Sequence, residues 1–420
     1  MEDLSESQKK AYNYFINGEN VMLLAAGGYG KSYLINKIKE TTKKTIYVTS
    51  TTGISALNIG GITIHSYMGI GFGNKSKYEL LGRVLRNKET VIRIKETDIL
   101  VIDEVSMLSA ELFEKIDYLL KQILKNNLFF GGIQVIFSMD PMQLLPVFNN
   151  YLVDQDTRLL IESPLINIFK FCILKENFRQ NNSEFCSILN RIRLGEHTDN
   201  DIKQIEERRK QKFDKDTIKL VTTNNKAQYI NNENLRKCSG IEYKYKATFS
   251  KKGSNKDIVN MLEFELKKQF ENRGLTELIL KKEARVMLTR NIAVENGLVN
   301  GSMGSINNFI NGLPEVKFDN GITTLLNNVE WELEVKDNKV KALQIPLILS
   351  YAITVHKSQS QTLEKAVIDI KDSFCEHQVY TCLSRIKSLE GLYIISFDKN
   401  KITTNEKMKD FIKFVEETEE

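Results

Sequence analysis

The stretch Val21 to Ser32, VMLLAAGGYGKS, constrains this chain more than any other. An apolar run that fits a buried strand gives way to a glycine-rich turn, and a helix is expected to start near Lys31. Gly27, Gly28 and Gly30 carry no side chains, so backbone N–H groups can close around phosphate oxygens. The helix that follows, KSYLINKIKE, would aim its positive end at the same anions. Lys31 has the reach for β- and γ-phosphates, and the Ser32 hydroxyl is placed to ligate Mg²⁺. The spacing G-x-x-x-x-G-K-[ST] is met except at its first position, where Ala25 stands. Alone, such a loop also fits an ordinary strand-to-helix turn, so its partners downstream decide.

At 420 residues the chain can hold more than one core. Hydrophobic residues at 41% and charged residues at 27% describe an ordinary soluble globular protein. The formal net charge of +5 permits a basic groove but does not demand a nucleic-acid partner. The five cysteines show no C-x-x-C spacing, so neither a disulfide framework nor a zinc site is suggested, and a reducing, intracellular setting is expected. No apolar run approaches the roughly 18 residues of a membrane span, so no membrane partner is expected. The polar, acidic MEDLSESQKK does not read as a signal peptide.

Leu4 to Asn17 reads as a helix with Ala11, Phe15 and Ile16 on one face and Ser5 or Ser7 as a cap. Gln8 on it could read an adenine edge through its amide; taken alone, a solvated helix position fits it better. TIYVT, Thr45 to Thr49, is a second strand at parallel βαβ spacing. The small and hydroxyl residues of STTGISALNIGGITIHSYMGIGFG can lie close to a sugar–phosphate backbone, although a cap and loop would look similar. Lys75 to Lys95 is charged and helix-like without a strong apolar face, and is expected as a surface insertion or a small subdomain. ILVIDE, Ile99 to Glu104, places Asp103 and Glu104 at the carboxyl end of a buried strand, where α/β sheets hold ligands. Asp103 would hold Mg²⁺ and Glu104 would deprotonate an attacking water. The helix from Ser109 to Asn127 carries a core stripe of Leu112, Ile116, Leu119, Leu120, Ile123 and Leu124. IQVIF is another strand, with Asp140 and Gln143 just past it, where a terminal phosphate could be sensed. Strands alternating with helices imply a parallel sheet covered on both faces.

A short strand from Phe171 to Lys175 leads into ENFRQ, where Arg179 offers forked geometry for a phosphate. Helical patterns follow at Phe185 to Leu194 and Asp201 to Lys210, then the strand IKLVT and a helix near Lys226 to Arg236. From about Ser239 to Gln344 the phosphate-site motifs stop, and short β-like runs are separated by turns such as Asp319-Asn320-Gly321 and Asp337-Asn338. This reads as a small β-rich insertion, expected as a barrel. The α/β pattern resumes at Pro346, where Thr354, His356, Lys357, Ser358 and Gln359 crowd one expected helix start. VYTCLSR sets Arg385 at the end of a second helix, and the terminal EETEE is expected to fray.

AAGGYGKS, VTSTTGISALNIGGITIHSYMGIG, VIDEVSM, FSMDPMQLLPV, LKENFRQ, LVNGSMGSI, YAITVHKSQSQTL and VYTCLSR occur in that order. Together they resemble the petite-integration-frequency DNA helicases and their RecD-like and Dda-like relatives, superfamily 1 enzymes of the 5′-to-3′ branch. The resemblance runs from Leu4 to Phe397. It implies an α/β fold of two RecA-like P-loop domains with parallel sheets plus a small SH3-like barrel insertion. The expected domains are 1–165, holding a wedge insertion at about 72–96; 166–238 with 346–420; and the inserted 239–345. It implies an ATP hydrolase and DNA helicase using ATP and Mg²⁺ in replication, repair or recombination. Gln8 then matches the adenine-reading glutamine, Lys31 and Ser32 the phosphate and Mg²⁺ residues, Asp103 and Glu104 the metal carboxylate and catalytic base, and Gln143 the coupling glutamine. Arg179 and Arg385 match the two arginines that reach ATP, while Thr51, His65, Ser66, Thr354, His356 and Lys357 fall in motifs lining the single-strand track. Ala25, Met139 and Ser360 each stand where the family has glycine. The expected partners are single-stranded and forked or tailed duplex DNA, engaged by a monomer, with replication or repair proteins as further partners. The rival readings are a P-loop ATPase that remodels RNA or protein, and a non-catalytic nucleic-acid binder; the intact Lys31, Asp103, Glu104 and Arg385 oppose the second.

Overall fold

The computed structural model describes residues 3–419 apart from 53–54, 57–58, 60, 72, 147–155, 177–182, 215–216, 255, 299–300, 336–337 and 360–362. The chain divides into two compact units, Met1–Gln211 with Ser358–Glu420, and Lys212–Lys357.

The first unit opens with α1 (Glu6–Ile16), whose start is fixed by a capping box between Ser5 and Gln8. Then come β1 (Asn20–Leu24), α2 (Lys31–Thr41), β2 (Ile46–Ser50), β3 (Ile62–Thr63), α3 (Ile64–Met68), α4 (Lys77–Arg86), α5 (Lys88–Glu96), β4 (Ile99–Asp103), α6 (Ala110–Leu124), β5 (Gln134–Met139), β6 (Phe169–Ile173), α7 (Ser183–Leu194) and α8 (Asp199–Glu207). The strands form one sheet in the order β3-β2-β4-β5-β1-β6, parallel at every pairing. Alternate residues serve opposite faces. Met22, Leu24, Leu100 and Ile102 join a core with Ile64, Leu80, Ile94 and Phe113, whereas Val21, Leu23, Val101 and Ile136 join one with Ala11, Phe15, Leu34 and Ile38. Both faces being covered explains why these strands read as continuous apolar runs.

Two expectations are corrected here. The segment from Lys75 to Lys95 is two helices, and Leu80, Val84 and Ile94 are at most 1% exposed within the core. Exposed Tyr78, Leu85 and Ile92 blurred the phase of that stripe. On α1 the apolar face uses Tyr12 rather than Ile16, which is 57% exposed.

The second unit contains β7 (Lys219–Val221), α9 (Asn224–Lys237), β8 (Tyr243–Lys246), β9 (Thr248–Lys252), α10 (Lys256–Arg273), β10 (Glu277–Leu280), β11 (Arg285–Leu288), β12 (Met303–Ile310), β13 (Leu313–Phe318), β14 (Thr323–Leu325), β15 (Val329–Val335), β16 (Asn338–Gln344), β17 (Leu347–Leu349) and β18 (Ala352–Thr354). Antiparallel sheets run β14-β13-β12-β11-β17, β15-β16-β9 and β10-β8. Antiparallel pairing thus continues through Leu347–Leu349 on β11, and parallel pairing resumes where β18 meets β7. The β-rich segment also holds α10, which no strand-like pattern announced; its Leu266 and Phe270 pack with Val340, Ala342 and Trp331. Asp319 to Gly321 links β13 to β14 as expected, while Asp337 lies outside the described residues.

The first unit closes with β19 (Ala366–Asp369), α11 (Gln378–Leu383), β20 (Leu392–Ser396) and α12 (Glu406–Glu419), with β19 parallel to β20. The acidic end of α12 is not loose. Glu419 accepts from Lys10 at 3.2 Å and from the Ile173 N–H at 3.2 Å, and Phe411 packs edge-on against Phe171. The expected fold class, α/β with parallel strands and a β-rich insertion, holds. Among the described residues no helix is long and apolar enough to cross a membrane.

Candidate functional site

The carboxyl end of β1 runs straight into the glycine-rich turn. Ala25 still bonds as a strand residue, its N–H donating to Met139 O at 3.0 Å, and it is 3% exposed in the core. Met139 is fully buried on the neighbouring strand. Both departures from the family's glycines are therefore packed core positions; Ser360 lies outside the described residues. Beyond Ala25 the chain turns through Gly28 (φ 93°) and Gly30 (φ 79°), left-handed conformations that glycine adopts without strain. Gly27 lies in the same turn and Ser32 in the first turn of α2. Lys31 bends back, its Nζ donating to Ala25 O at 2.6 Å and Ala26 O at 3.1 Å.

Gln8 is 1% exposed. Its Oε1 accepts from Ser5 N–H at 3.0 Å, and its Nε2 donates to Gly30 O at 3.3 Å, so it braces the turn. Asp103 closes β4 and Glu104 follows it, at 5% and 7% exposure. Glu104 adopts a left-handed backbone (φ 56°), which re-aims its side chain as the strand ends. Asp103 Oδ2 accepts from Ser55 Oγ at 3.0 Å, and Glu104 Oε2 accepts from Gln359 Nε2 at 3.4 Å. Burial, with the Glu104 charge beside it, pushes the Asp103 carboxyl up from its ordinary value. Its Oδ1 is buried and finds no hydrogen-bond partner among the described residues. An unsatisfied anionic oxygen beside a second carboxylate is costly to bury, and a divalent cation would relieve it. The donor set, a hydroxyl at a helix start and a strand-end carboxylate, suits Mg²⁺.

Gln143 follows β5 at 2% exposure. Arg385, also 2% exposed, lies just past α11 with Nε donating to Thr381 O at 3.0 Å and Nη2 to Ser384 Oγ at 2.9 Å. Arg179 lies outside the described residues. In this unit the expected Gln8, Gly27, Gly28, Gly30, Lys31, Ser32, Asp103, Glu104 and Gln143 cluster at the carboxyl ends of β1, β4 and β5. Ser55, Arg193 and Tyr380 were not singled out from sequence. Ser55 sits inside STTGISAL and Tyr380 inside VYTCLSR, so both lie within motifs that carry other site residues.

Of the residues expected on the nucleic-acid track, Thr51, His65 and Ser66 belong to this unit. Thr51 follows β2 and hydrogen-bonds to the Asp103 and Glu104 carbonyls. Thr63 caps α3, accepting from Ser66 N–H at 3.2 Å, and Arg93 Nη2 donates to the Ser66 and Tyr67 carbonyls at 3.0 and 2.6 Å. Burial lowers the His65 pKa from its ordinary value. In the second unit, Thr354 and Lys357 line a cleft of about 660 Å³ with Asn224, Asn225, Gln228 and Asn232. Asn231 pins its floor by pairing with both backbone groups of Ala352, at 3.0 and 2.8 Å. His356 is likewise lowered by burial. The helix expected here is only a 3₁₀ turn, His356–Ser358, because Val355 N–H is still engaged with Val221 O and the chain leaves the strand late.

Comparison with known proteins fits this arrangement. Residues 3–203 match the family model described as PIF1-like helicase, and residues 266–309 match the DNA helicase Pif1 2B domain. The human ATP-dependent DNA helicase PIF1 is 31% identical over 411 residues, covering 94% of this chain and 61% of that protein. The chain thus spans about three-fifths of the length of the curated relatives it matches. The Pif1 helicase structure from Candida albicans superposes with a TM-score of 0.87 at 29% identity, covering 98% of this chain and 99% of that one. A Bacteroides Pif1 helicase solved with ADP-AlF3 and ssDNA gives 0.81 at 27% identity, covering 99% and 97%. The two models of this family, matching residues 3–203 and 266–309, together take in more than half of the chain, and the chain belongs to the PIF1-like helicase family.

Proposed function

We propose that the chain is an ATP-dependent DNA helicase that moves 5′ to 3′ along single-stranded DNA and separates duplex DNA, acting as a monomer. The observation that carries this reading is the unpartnered Asp103 Oδ1 beside Glu104, set against the Lys31 loop at the ends of parallel strands. The Bacteroides relative, solved with a nucleotide mimic and single-stranded DNA, supports it.

In this reading the loop N–H groups and the start of α2 receive the phosphates, and Lys31 Nζ trades its two carbonyl contacts for phosphate oxygens. Ser32 and Asp103 hold Mg²⁺, which when bound neutralises charge on the transferring phosphoryl group. Glu104 takes the proton of the attacking water. Arg385, and Arg179 by its match to the family motif, stabilise charge developing on the terminal phosphate. Gln8 braces the turn from behind and meets the adenine edge. Thr51, His65, Ser66, Thr354, His356 and Lys357 grip the strand mainly by its backbone, so sequence preference is weak.

Phosphate release with and without single-stranded DNA, or with RNA, tests the reading. Stimulation by DNA, together with unwinding of duplexes bearing 5′ but not 3′ single-stranded tails, is expected. Stimulation by RNA alone, or turnover indifferent to any polynucleotide, would favour the remodelling ATPase.

A further inference from the structure

The turn after β5 contains a buried polar cluster with a definite direction. Asp140 is fully buried. Its Oδ1 accepts from Arg193 Nε at 3.1 Å and Met142 N–H at 3.1 Å; its Oδ2 accepts from Tyr380 Oη at 2.8 Å and Gln143 Nε2 at 3.2 Å. A carboxylate offers about four acceptor sites, so Asp140 is saturated. Arg193 comes from α7, and Tyr380 from α11, the helix that leads to Arg385. Burial by itself would raise the Asp140 carboxyl, but the charges of Arg193 and Lys31 outweigh it and hold the group below its usual range.

An ionised carboxylate cannot donate. Gln143 must therefore turn its NH₂ toward Asp140, and its carbonyl oxygen then lies at the opposite end of the amide. That Oε1 is buried and finds no hydrogen-bond partner among the described residues. Leaving a buried acceptor unsatisfied costs about 1–3 kcal/mol, so the arrangement leaves this oxygen open to a donor beyond the described residues, such as a water.

We propose that Asp140 and Tyr380 are positioning residues: together they lock the Gln143 amide with its carbonyl oxygen outward, as the acceptor for a hydrogen of the water that attacks the terminal phosphate. The inference rests on the hydrolytic reading above. Tyr380 makes the lock depend on the helix that carries the chain to Arg385. The water then has two acceptors, the Glu104 carboxylate that takes its proton and the Gln143 carbonyl that fixes its remaining hydrogen. Reversal of the amide would instead present a donor and misdirect the lone pair.

The test uses the full chain, ATP and an oligothymidylate in steady-state hydrolysis, with nucleotide affinity and thermal midpoint measured for every variant. Gln143→Ala, Asp140→Asn and their double variant are compared. Each single change is expected to lower kcat at least about tenfold while the ATP KM and nucleotide affinity stay within about twofold. The double variant should be no slower than Gln143→Ala, because Asp140 acts through that side chain. Losses that multiply in the double variant, or a raised KM at unchanged kcat, would overturn the proposal and leave the hydrolytic reading standing. Full turnover in Gln143→Ala would overturn the role given to Gln143 and the proposal with it. Since Asp140→Asn leaves Arg193 without its counter-ion and could impair folding, Tyr380→Phe provides the second variant. It removes one hydroxyl and should give a smaller kcat loss that is likewise absent on a Gln143→Ala background. Parent-like kcat in Tyr380→Phe would overturn the lock.

Discussion

The hydroxyl of Thr51 donates to the backbone carbonyl of Glu104 at 2.8 Å, and the Thr51 N–H donates to Asp103 O at 3.2 Å. A residue proposed to touch DNA is thus bonded directly to the backbone that aims the proposed base. Glu104 holds a left-handed conformation that its neighbours must enforce. Thr51→Val keeps the branched shape and removes the hydroxyl. The expected result is a several-fold fall in the DNA-stimulated hydrolysis rate, on the order of one lost hydrogen bond, about 0.5–1.5 kcal/mol, with ATP KM little changed. Stopped-flow phosphate release at saturating oligothymidylate measures it.

Lys31 is held by two carbonyls of its own loop at 2.6 and 3.1 Å. Lys31→Ala removes both loop contacts and the phosphate-reaching charge. DNA-stimulated turnover should become undetectable, while fluorescence anisotropy still reports single-stranded DNA binding. Retained turnover would refute the assignment of this loop as the nucleotide site.

Met139 is fully buried at a position where the motif resemblance implies glycine, and Ala25 donates to its carbonyl from the adjacent strand. Met139→Gly would open a cavity in the aromatic side of the core beside Phe137. A loss of about 2–5 kcal/mol is expected from large-to-small core changes of this kind, read by chemical denaturation. An unchanged midpoint would mean that the neighbouring side chains close the space.

Gly61 makes a close backbone approach. A Cβ there would lie 2.1 Å from the Val48 carbonyl oxygen, on the strand that β3 joins. Gly61→Ala must push β3 away from β2 and carry His65 and Ser66 with it. Overpacking of this kind costs typically about 1–3 kcal/mol, so a lower melting temperature and weaker oligothymidylate binding are expected together.

Asp201 ties α8 to α7. Its carboxylate accepts from Arg191 at 2.5 and 2.8 Å and from the Thr198 N–H at 2.8 Å, and the Arg191 hydrogen bonds hold its pKa well below the usual carboxylate range. A depressed pKa contributes stability that is fully present above the unfolded value of about 4 and disappears as pH falls through the folded one. Arg191 is well exposed, so the charge pair is screened and contributes less than its short contacts suggest. Asp201→Asn should cost about 1 kcal/mol at neutral pH, and the parent and variant curves should converge in strong acid. A gap that persists undiminished in acid would show that packing, not ionisation, sets the loss.

The sequence by itself determined the order of the elements and the chemistry at their ends. The glycine turn before Lys31, the carboxylates closing β4 and the apolar runs of β1, β4 and β5 are local patterns, each set by a few neighbouring residues and therefore readable without a fold. Resemblance across whole motifs added Gln8, which in isolation reads as a solvated helix position and is in fact 1% exposed. What only tertiary structure decided is which polar groups meet. Tyr380 reaches Asp140 across 240 positions of sequence, and Glu419 reaches Lys10 across 409. The apolar stripe of α4 and α5 and the packing of α10 were likewise hidden, because a mostly charged helix reveals its buried side only when the opposing surface is known. A side chain's type fixes what it can donate or accept, but burial makes that capacity binding, and burial is supplied by segments far away along the chain.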